Sequence, residues 1–335
     1  MNPKLLNLLC DPVDKSNVHL QHAEYDERGR IIEGLLVSES GRHFPIRHGI
    51  PRFIPDTAVT GSVESFGDEW NFFNFDLFKL NWLNHTVKNT FGSTEAFLGK
   101  VIVDAGGGSG AQSLWMSEAG AEHVICLELS HSVDGVIEKN LENVSNVDVV
   151  QCSIDHPPIK DGAIKGIVIC HNVIQHTPTV EDTARALWRL VGQGGEFVFN
   201  CYPKNDHGLI RKARLLLYSR LRAFLSKRPF RSRLTYSRIM SMLRFIPLLG
   251  PVLELSMMMV RGDVPKGPNY FLRAYRSGVL NTFDFYGAHS YQHLKRDEEI
   301  LALVKELQPD SKKVCNVARY FSRPQPIGIA LRVFK

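Results

Sequence analysis

Glycine fills four of the five positions in Gly106-Gly107-Gly108-Ser109-Gly110, just after an apolar run, Val101-Ile102-Val103, that ends in Asp104. At the hand-over from a strand to a helix, such a cluster lets the backbone turn tightly and lets a ligand approach where a Cβ would block it. Twenty-four residues after Asp104, a second apolar run, His123–Leu127, closes on Glu128. A carboxylate at that place accepts hydrogen bonds from vicinal ribose hydroxyls, so loop and acid together point to a nucleoside-bearing ligand. The bland alternative gives the glycines only a tight turn and Glu128 a solvated strand end. Gly106-x-Gly108-x-x-Ala111 formally satisfies the dinucleotide fingerprint. S-adenosylmethionine, with a ribose and an adenine but no pyrophosphate, fits the same spacing. Spacing alone leaves both cofactors open.

Further groups with chemical capacity lie downstream. His171 and His176 follow the apolar run Gly166–Cys170. Imidazole titrates near neutrality, so His176 in Ile174-Gln175-His176-Thr177-Pro178 is a candidate general base, with a loop hydrogen bond as the structural alternative. A polar-aromatic stretch, Phe283 to His293, offers Tyr286, Tyr291 and His293 for orienting a substrate, or for packing. Between Lys204 and Arg244 twelve basic residues face one acid, Asp206, whereas the whole chain carries only +5. Attraction to an anion or membrane therefore belongs to this segment alone. Residues 211–233 interleave its Lys and Arg with leucines, as in a helix lying on an anionic membrane or covering an anionic substrate; a solvated helix face is the plain alternative.

The elements that must hold these groups alternate strand and helix. Helices are expected at Ala111–Ala119, about His131 to Asn143, and Val180 to Leu190; strands at 101–103, 123–127, 147–151, 166–170 and 196–200. Continuous apolar strands separated by helices signify a parallel sheet buried on both faces, with its ligand at the carboxyl ends. The fold class read here is α/β: a doubly wound, mostly parallel sheet with a small β-rich N-terminal domain and a helical insertion. The divisions are 1–56, a small β domain with short alternating strands; 57–97, a linker and aromatic helical segment; 98–203, the cofactor-binding core; 204–280, a basic helical insertion or lid; and 281–335, which completes the sheet through Arg296–Leu307 and Ile327–Phe334.

At 335 residues, 44% hydrophobic and 22% charged, the composition excludes a collagen, a coiled coil or a wholly disordered chain. Six scattered cysteines form no disulfide or zinc framework and suggest a reducing, cytoplasmic compartment. The start of the chain is too short in apolar residues for a secretion signal. The longest apolar stretch, Phe245–Val260, falls short of a membrane span. Oligomeric state is not readable from these patterns.

The glycine loop resembles motif I of the class I S-adenosylmethionine-dependent methyltransferases, of the methyltransferase type 11-like kind. The likeness runs over residues 101–200, through VDVVQCSIDHPPIKDGAIKGIVICHNVIQHTP to LWRLVGQGGEFVFN. It implies a Rossmann-like fold and S-adenosylmethionine as the cofactor. Carried over by position, it implies that Asp104, Gly106, Gly108 and Gly110 line the amino-acid end of that cofactor. Glu128 would hold the ribose, Leu129 pack by the adenine, and His171 and Asn172 meet the cofactor, the latter through its backbone. Ser153 and Ile154 stand where many relatives place an acid for adenine, and Ile164-Lys165 replaces a usual Phe-Asp. Phe66-Gly67-Asp68-Glu69-Trp70 resembles a segment lying over the cofactor in lipid and natural-product relatives, which makes Trp70 a lid candidate. The Phe283–His293 stretch is similar to a substrate-facing one, which adds Tyr291 and His293 to His171 and His176 as catalytic candidates.

The N-terminal residues LLNLLCDPVDKSNVHL and GRHFPIRHGIPRFIP resemble the zinc-ribbon-like domain related to tRNA-methyltransferase activators. Such domains hold zinc through paired cysteines; here Cys10 stands alone with Val13 in its partner's place, so no metal is expected. Three functions remain to be weighed. The first is methyl transfer to a small molecule, lipid-like or anionic. The second is RNA modification, or partnership with an enzyme that does it, which would call for exposed stacking aromatics beside the basic stripe; nucleic acid is the less expected partner. The third is a nonenzymatic cofactor-binding module.

Overall fold

The computed structural model describes residues 1–54, 61–73, 75, 78–204, 208–261, 264, 266–287, 291–316 and 329–335. Part of the proposed linker, 55–60, and Ala288–Ser290 lie outside the described residues.

Strands β1 (Val18–Tyr25), β2 (Ile31–Ser38), β3 (His43–Arg47) and β4 (Ile50–Pro51) form an antiparallel four-stranded sheet in sequential order. So small a sheet cannot enclose a core alone. Leu5, Leu9, Ile31 and Leu36 accordingly merge into one apolar cluster with Cys152, Ile154 and Ile159 of the following domain. Polar ties fix the register of this docking. Asp148, buried, accepts from the Asn2 N–H at 2.8 Å and pairs with Arg30 and His123. The Met1 ammonium donates to the Ile31 carbonyl at 2.8 Å.

Helix α1 (Gly61–Phe72), the short helices α2 (Lys79–Asn81) and α3 (Lys88–Thr90), and a wider π turn between them, Trp82–Val87, lead to the large sheet. That sheet is built from β5 (Val101–Ala105), α4 (Ala111–Glu118), β6 (His123–Glu128), α5 (Val136–Leu141), β7 (Val147–Gln151), β8 (Ile167–Cys170), α6 (Val180–Leu190) and β9 (Glu196–Asn200). An insertion follows: α7 (Leu209–Leu225), α8 (Phe230–Leu243), α9 (Leu249–Leu255) and α10 (Tyr270–Gly287). Helix α11 (Asp297–Glu306) and strands β10 (Ser311–Asn316) and β11 (Ile329–Phe334) complete the sheet. Its order is β10-β11-β9-β8-β5-β6-β7; β11 runs antiparallel to both neighbours, and the strands from β7 to β9 are parallel. This is the doubly wound α/β arrangement, and the chain reverses its winding beside β5, the place where folds of this kind bind ligands at the carboxyl ends of the strands.

Two local expectations change. The helix read from about His131 to Asn143 is a 3₁₀ turn, His131–Asp134, and then α5, broken at Gly135. The Asn71 side chain accepts from the Val136 N–H there at 2.8 Å and sits where a Gly135 Cβ would be, so docking of α1 splits the helix. Strand β10 escapes the sequence reading because Lys312 and Lys313 hide its alternation. Helix α10 runs through residue 280, the boundary drawn from composition.

Candidate active site

The turn after β5 is laced to β6 through its backbone. Gly106 and Gly107 N–H groups both donate to the Leu127 carbonyl, at 2.8 and 3.0 Å. Glu128, buried at the end of β6, accepts from the Gly108 N–H through Oε2 and from the Ser130 N–H through Oε1, both at 2.8 Å. The Ser132 hydroxyl closes the ring on the Gly108 carbonyl at 2.7 Å. Gly108 has φ +58° and a Cβ on it would lie 2.9 Å from the Trp70 ring; one on Gly106, at φ +92°, would lie 2.4 Å from Val173. Glycine at these positions is therefore required for the loop to exist against its neighbours. Gly110, also left-handed, starts α4.

Asp104 is buried beneath this turn, accepting from the Ser113 hydroxyl at 2.6 Å. Burial pushes its carboxyl up to about 6, against the pull of Ser113 and with the help of Glu128. Trp70 covers the loop from above, its ring 4.5 Å from Phe75. Gly67 makes that possible: a Cβ there would strike the His131 ring at 2.3 Å, so only glycine lets α1 settle onto the turn after Glu128.

The loops after β6 and β7 are braced by the residues that follow the N-terminal sheet. Arg52 is buried, donates to Gln151 Oε1 at 2.8 Å and forms an ion pair with Asp134 at 2.5 Å. Gln151 passes the tie on to the Leu129 carbonyl at 3.3 Å. Leu129 is half-buried and Ile154 buried, while Ser153 is half-buried with its hydroxyl turned onto Asp155. Ile164 is buried and Lys165 exposed.

Beyond β8 the placements divide. His171 sits 3.2 Å from the Thr86 hydroxyl, and burial lowers its imidazole to about 4, which keeps it neutral. Asn172, at φ +58°, spends its backbone N–H on Asn200 at 2.8 Å, and Asn200 returns a bond to its side chain at 2.6 Å. The Asn172 N–H thus ties the end of β8 to that of β9. His293 donates from Nε2 to the Thr177 and Pro178 carbonyls at 3.1 and 3.0 Å, and its backbone N–H to Gln175 at 2.8 Å. It fastens the loop that carries His176, a positioning part rather than the catalytic one expected. Tyr291 stacks on His293 with its ring largely in solvent. Tyr286, expected to orient substrate, is buried among Tyr218 and Tyr236 and donates to the Met257 carbonyl.

His176 enters a polar cluster that the sequence reading passed over. Its ring stands edge-on to Tyr202, with centroids 5.5 Å apart, and its Nδ1 contacts the Tyr291 carbonyl at 3.2 Å. A carbonyl only accepts, so Nδ1 carries the proton and Nε2 is the basic nitrogen. The Tyr202 hydroxyl donates to Asp284 at 3.4 Å. Glu69, fully buried on α1, is near enough that its charge acts on both Asp284 and Tyr202. Burial raises the Glu69 and Asp284 carboxyls above the ordinary range, and Arg233 and Arg222 offset part of this for each in turn. Among the described residues, Glu69 Oε2 has no hydrogen-bond partner. One signal was available for Asp284: it is the sole acid in the 18 residues of α10.

Residues 103–199 match the methyltransferase domain family. The strand order and the site define a class I methyltransferase domain, whose cofactor is S-adenosylmethionine. Among curated proteins, the chain is similar to a ubiquinone biosynthesis O-methyltransferase of Aromatoleum aromaticum (29% identity, 38% of this chain, 51% of the relative). It is likewise similar to one of Ralstonia nicotianae (28%, 44% and 63%). It thus spans about half to two thirds of their length. Among solved structures, an S-adenosylmethionine-dependent methyltransferase from Mesorhizobium loti aligns at 13% identity and TM-score 0.41, over 73% of this chain and 99% of the other.

The residues present suit such a cofactor. Gly106, Gly108 and Gly110, all left-handed, put no Cβ on the turn, and Glu128 is a buried acid beside it. Among the described residues, no three His, Cys, Asp or Glu groups converge to hold a metal ion, and no helix is long and apolar enough to cross a membrane.

Proposed function

We propose that the chain is an S-adenosylmethionine-dependent methyltransferase that methylates a small molecule held against His176, Tyr202, Asp284 and Glu69. The observation that carries this reading is the meeting, at the carboxyl ends of the strands, of the glycine turn closed by Glu128 with a polar cluster that contains a histidine whose Nδ1 faces the Tyr291 carbonyl. The cofactor, when bound, supplies an electrophilic methyl group on a positively charged sulfur. The chain contributes alignment and a proton acceptor. Glu128 fixes the ribose, Gly106 to Gly110 admit the amino-acid end, and Trp70 and α1 shield the crevice from water. His176 Nε2 accepts the proton of an acceptor hydroxyl, its ring held by the Tyr291 carbonyl and by the loop that His293 fastens.

An oxygen acceptor is supported by the names of the curated relatives. Burial favours the neutral form of the Glu69 and Asp284 carboxyls, and an acceptor hydroxyl that is itself neutral suits that setting. RNA recognition finds little support: Tyr218 is buried, and Phe224, though exposed, lies under the Arg228 guanidinium at 4.3 Å.

The N-terminal sheet we read as a zinc-ribbon-like unit that has lost its metal. Val13 is exposed, and burial raises the lone Cys10 thiol to about 11, a poor thiolate ligand. Among the described residues, Cys10, Cys126, Cys152, Cys170 and Cys201 are free and buried, which supports a reducing, cytoplasmic setting.

Titration calorimetry of the full chain with S-adenosylmethionine and S-adenosylhomocysteine tests the proposal. Saturable binding of both is expected; failure of either to bind at about 1 mM, a level at which even a 4 kcal/mol interaction registers, overturns it.

A further inference from the structure

Helix α7 is amphipathic the wrong way round for a helix in water. Its inner side buries Tyr218 and Leu225 against α10. Its outer side leaves Leu209, Ile210, Leu216, Leu217 and Phe224 in solvent, from 45% to 85% exposed. Positions 210, 217 and 224 recur every seven residues, and 209 and 216 fall beside them, so these side chains form one stripe about 25 Å long. Exposed Lys212, Arg220 and Lys227 are interleaved with the stripe, and Arg228 stacks over Phe224. From Gly208 to Arg244 the sequence holds eleven Lys and Arg and no Asp or Glu.

We infer that α7 docks on an anionic lipid bilayer. A stripe of large aliphatic groups edged by long basic side chains fits the boundary between acyl chains and headgroups. There the apolar groups and the lysine and arginine stems sink inward while the charges meet lipid phosphates. A second copy of the chain would bring like charges face to face, and RNA would find one aromatic, already covered. The inference concerns this face alone and does not depend on methyl transfer.

Co-sedimentation of the full chain with vesicles is the test. The protein should pellet with phosphatidylcholine vesicles containing about one third phosphatidylglycerol and stay in the supernatant with pure phosphatidylcholine, with binding falling roughly tenfold between ~0.1 and ~0.5 M salt. The double variant Leu216→Glu, Phe224→Glu should lose at least about tenfold in partitioning, since both groups leave the apolar phase. Its circular dichroism spectrum and urea-unfolding midpoint, matched to the parent's, show that the variant is folded. No pelleting with anionic vesicles overturns the inference, as does equal pelleting of the variant. A parent that light scattering finds dimeric while the variant is monomeric, or salt-sensitive RNA retention in place of vesicle binding, overturns it as well.

Discussion

The two halves of the proposed site lie at the carboxyl ends of one sheet and are built by opposite means. The cofactor half is made mostly of backbone: the turn 106–110, the end of β6 and the Ser130 N–H, all within about 25 consecutive residues. The acceptor half is made of side chains from elements far apart in sequence, with Glu69 on α1, His176 after β8, Tyr202 after β9 and Asp284 on α10. In the first, the bonds of the turn each have a main-chain group at one end, whereas the second exists only once the insertion has packed. A fold can thus hold its cofactor geometry constant while the acceptor cluster is redrawn by a few side chains.

Substitutions in each half should separate the two. His176→Ala is expected to lower kcat by about 10²–10⁴ while leaving the calorimetric Kd for S-adenosylmethionine unchanged, the signature of a lost general base. A fall of less than about threefold would move the proton acceptor to another group in the cluster. Glu128→Ala should do the reverse. Losing the ribose hydrogen bonds costs about 1–3 kcal/mol of cofactor affinity, and unchanged affinity would place the sugar elsewhere.

Arg52→Ala reaches the cofactor half from behind. Asp134 is half in solvent and is partly rescued by water, so a stability loss of about 1–2 kcal/mol in urea unfolding is expected, with a cofactor Kd weakened a few-fold. A variant with lowered stability but unaltered Kd would make the N-terminal sheet a structural prop only. The smallest effect is spectroscopic. His171 stays neutral in the folded protein down to about 4, whereas the unfolded chain takes up its proton near 6.5, so this group's contribution to stability is present above about 6.5 and lost as pH falls toward 4. An NMR titration of its ring with a midpoint near 6 would mean that the end of β8 is open to water.

The same contrast explains what could be read in advance. Strands such as Glu196–Asn200 and the helix Val180–Leu190 declare themselves through local periodicity, and the cofactor loop and Glu128 through short spacing. Tyr202, Glu69 and Asp284 carry no such mark, because only the packing of α1 and α10 brings them together. His293 was misjudged for the same reason: its residue type suggests chemistry, and only the carbonyls of Thr177 and Pro178 reveal a fastener. Strand β10 failed differently. An edge strand with charges on its rim loses the alternation by which strands are recognised.

The parallel bridge between Arg52 and Gln151, with the Phe53 N–H on the Gln151 carbonyl, lies along the outer strand β7. There it covers the end of an apolar edge strand that would otherwise stand ready to pair with another molecule. The lysines of β10 discourage such pairing at the opposite border, so the small N-terminal sheet also guards solubility. A truncation beginning after residue 54 should aggregate before it loses its secondary structure.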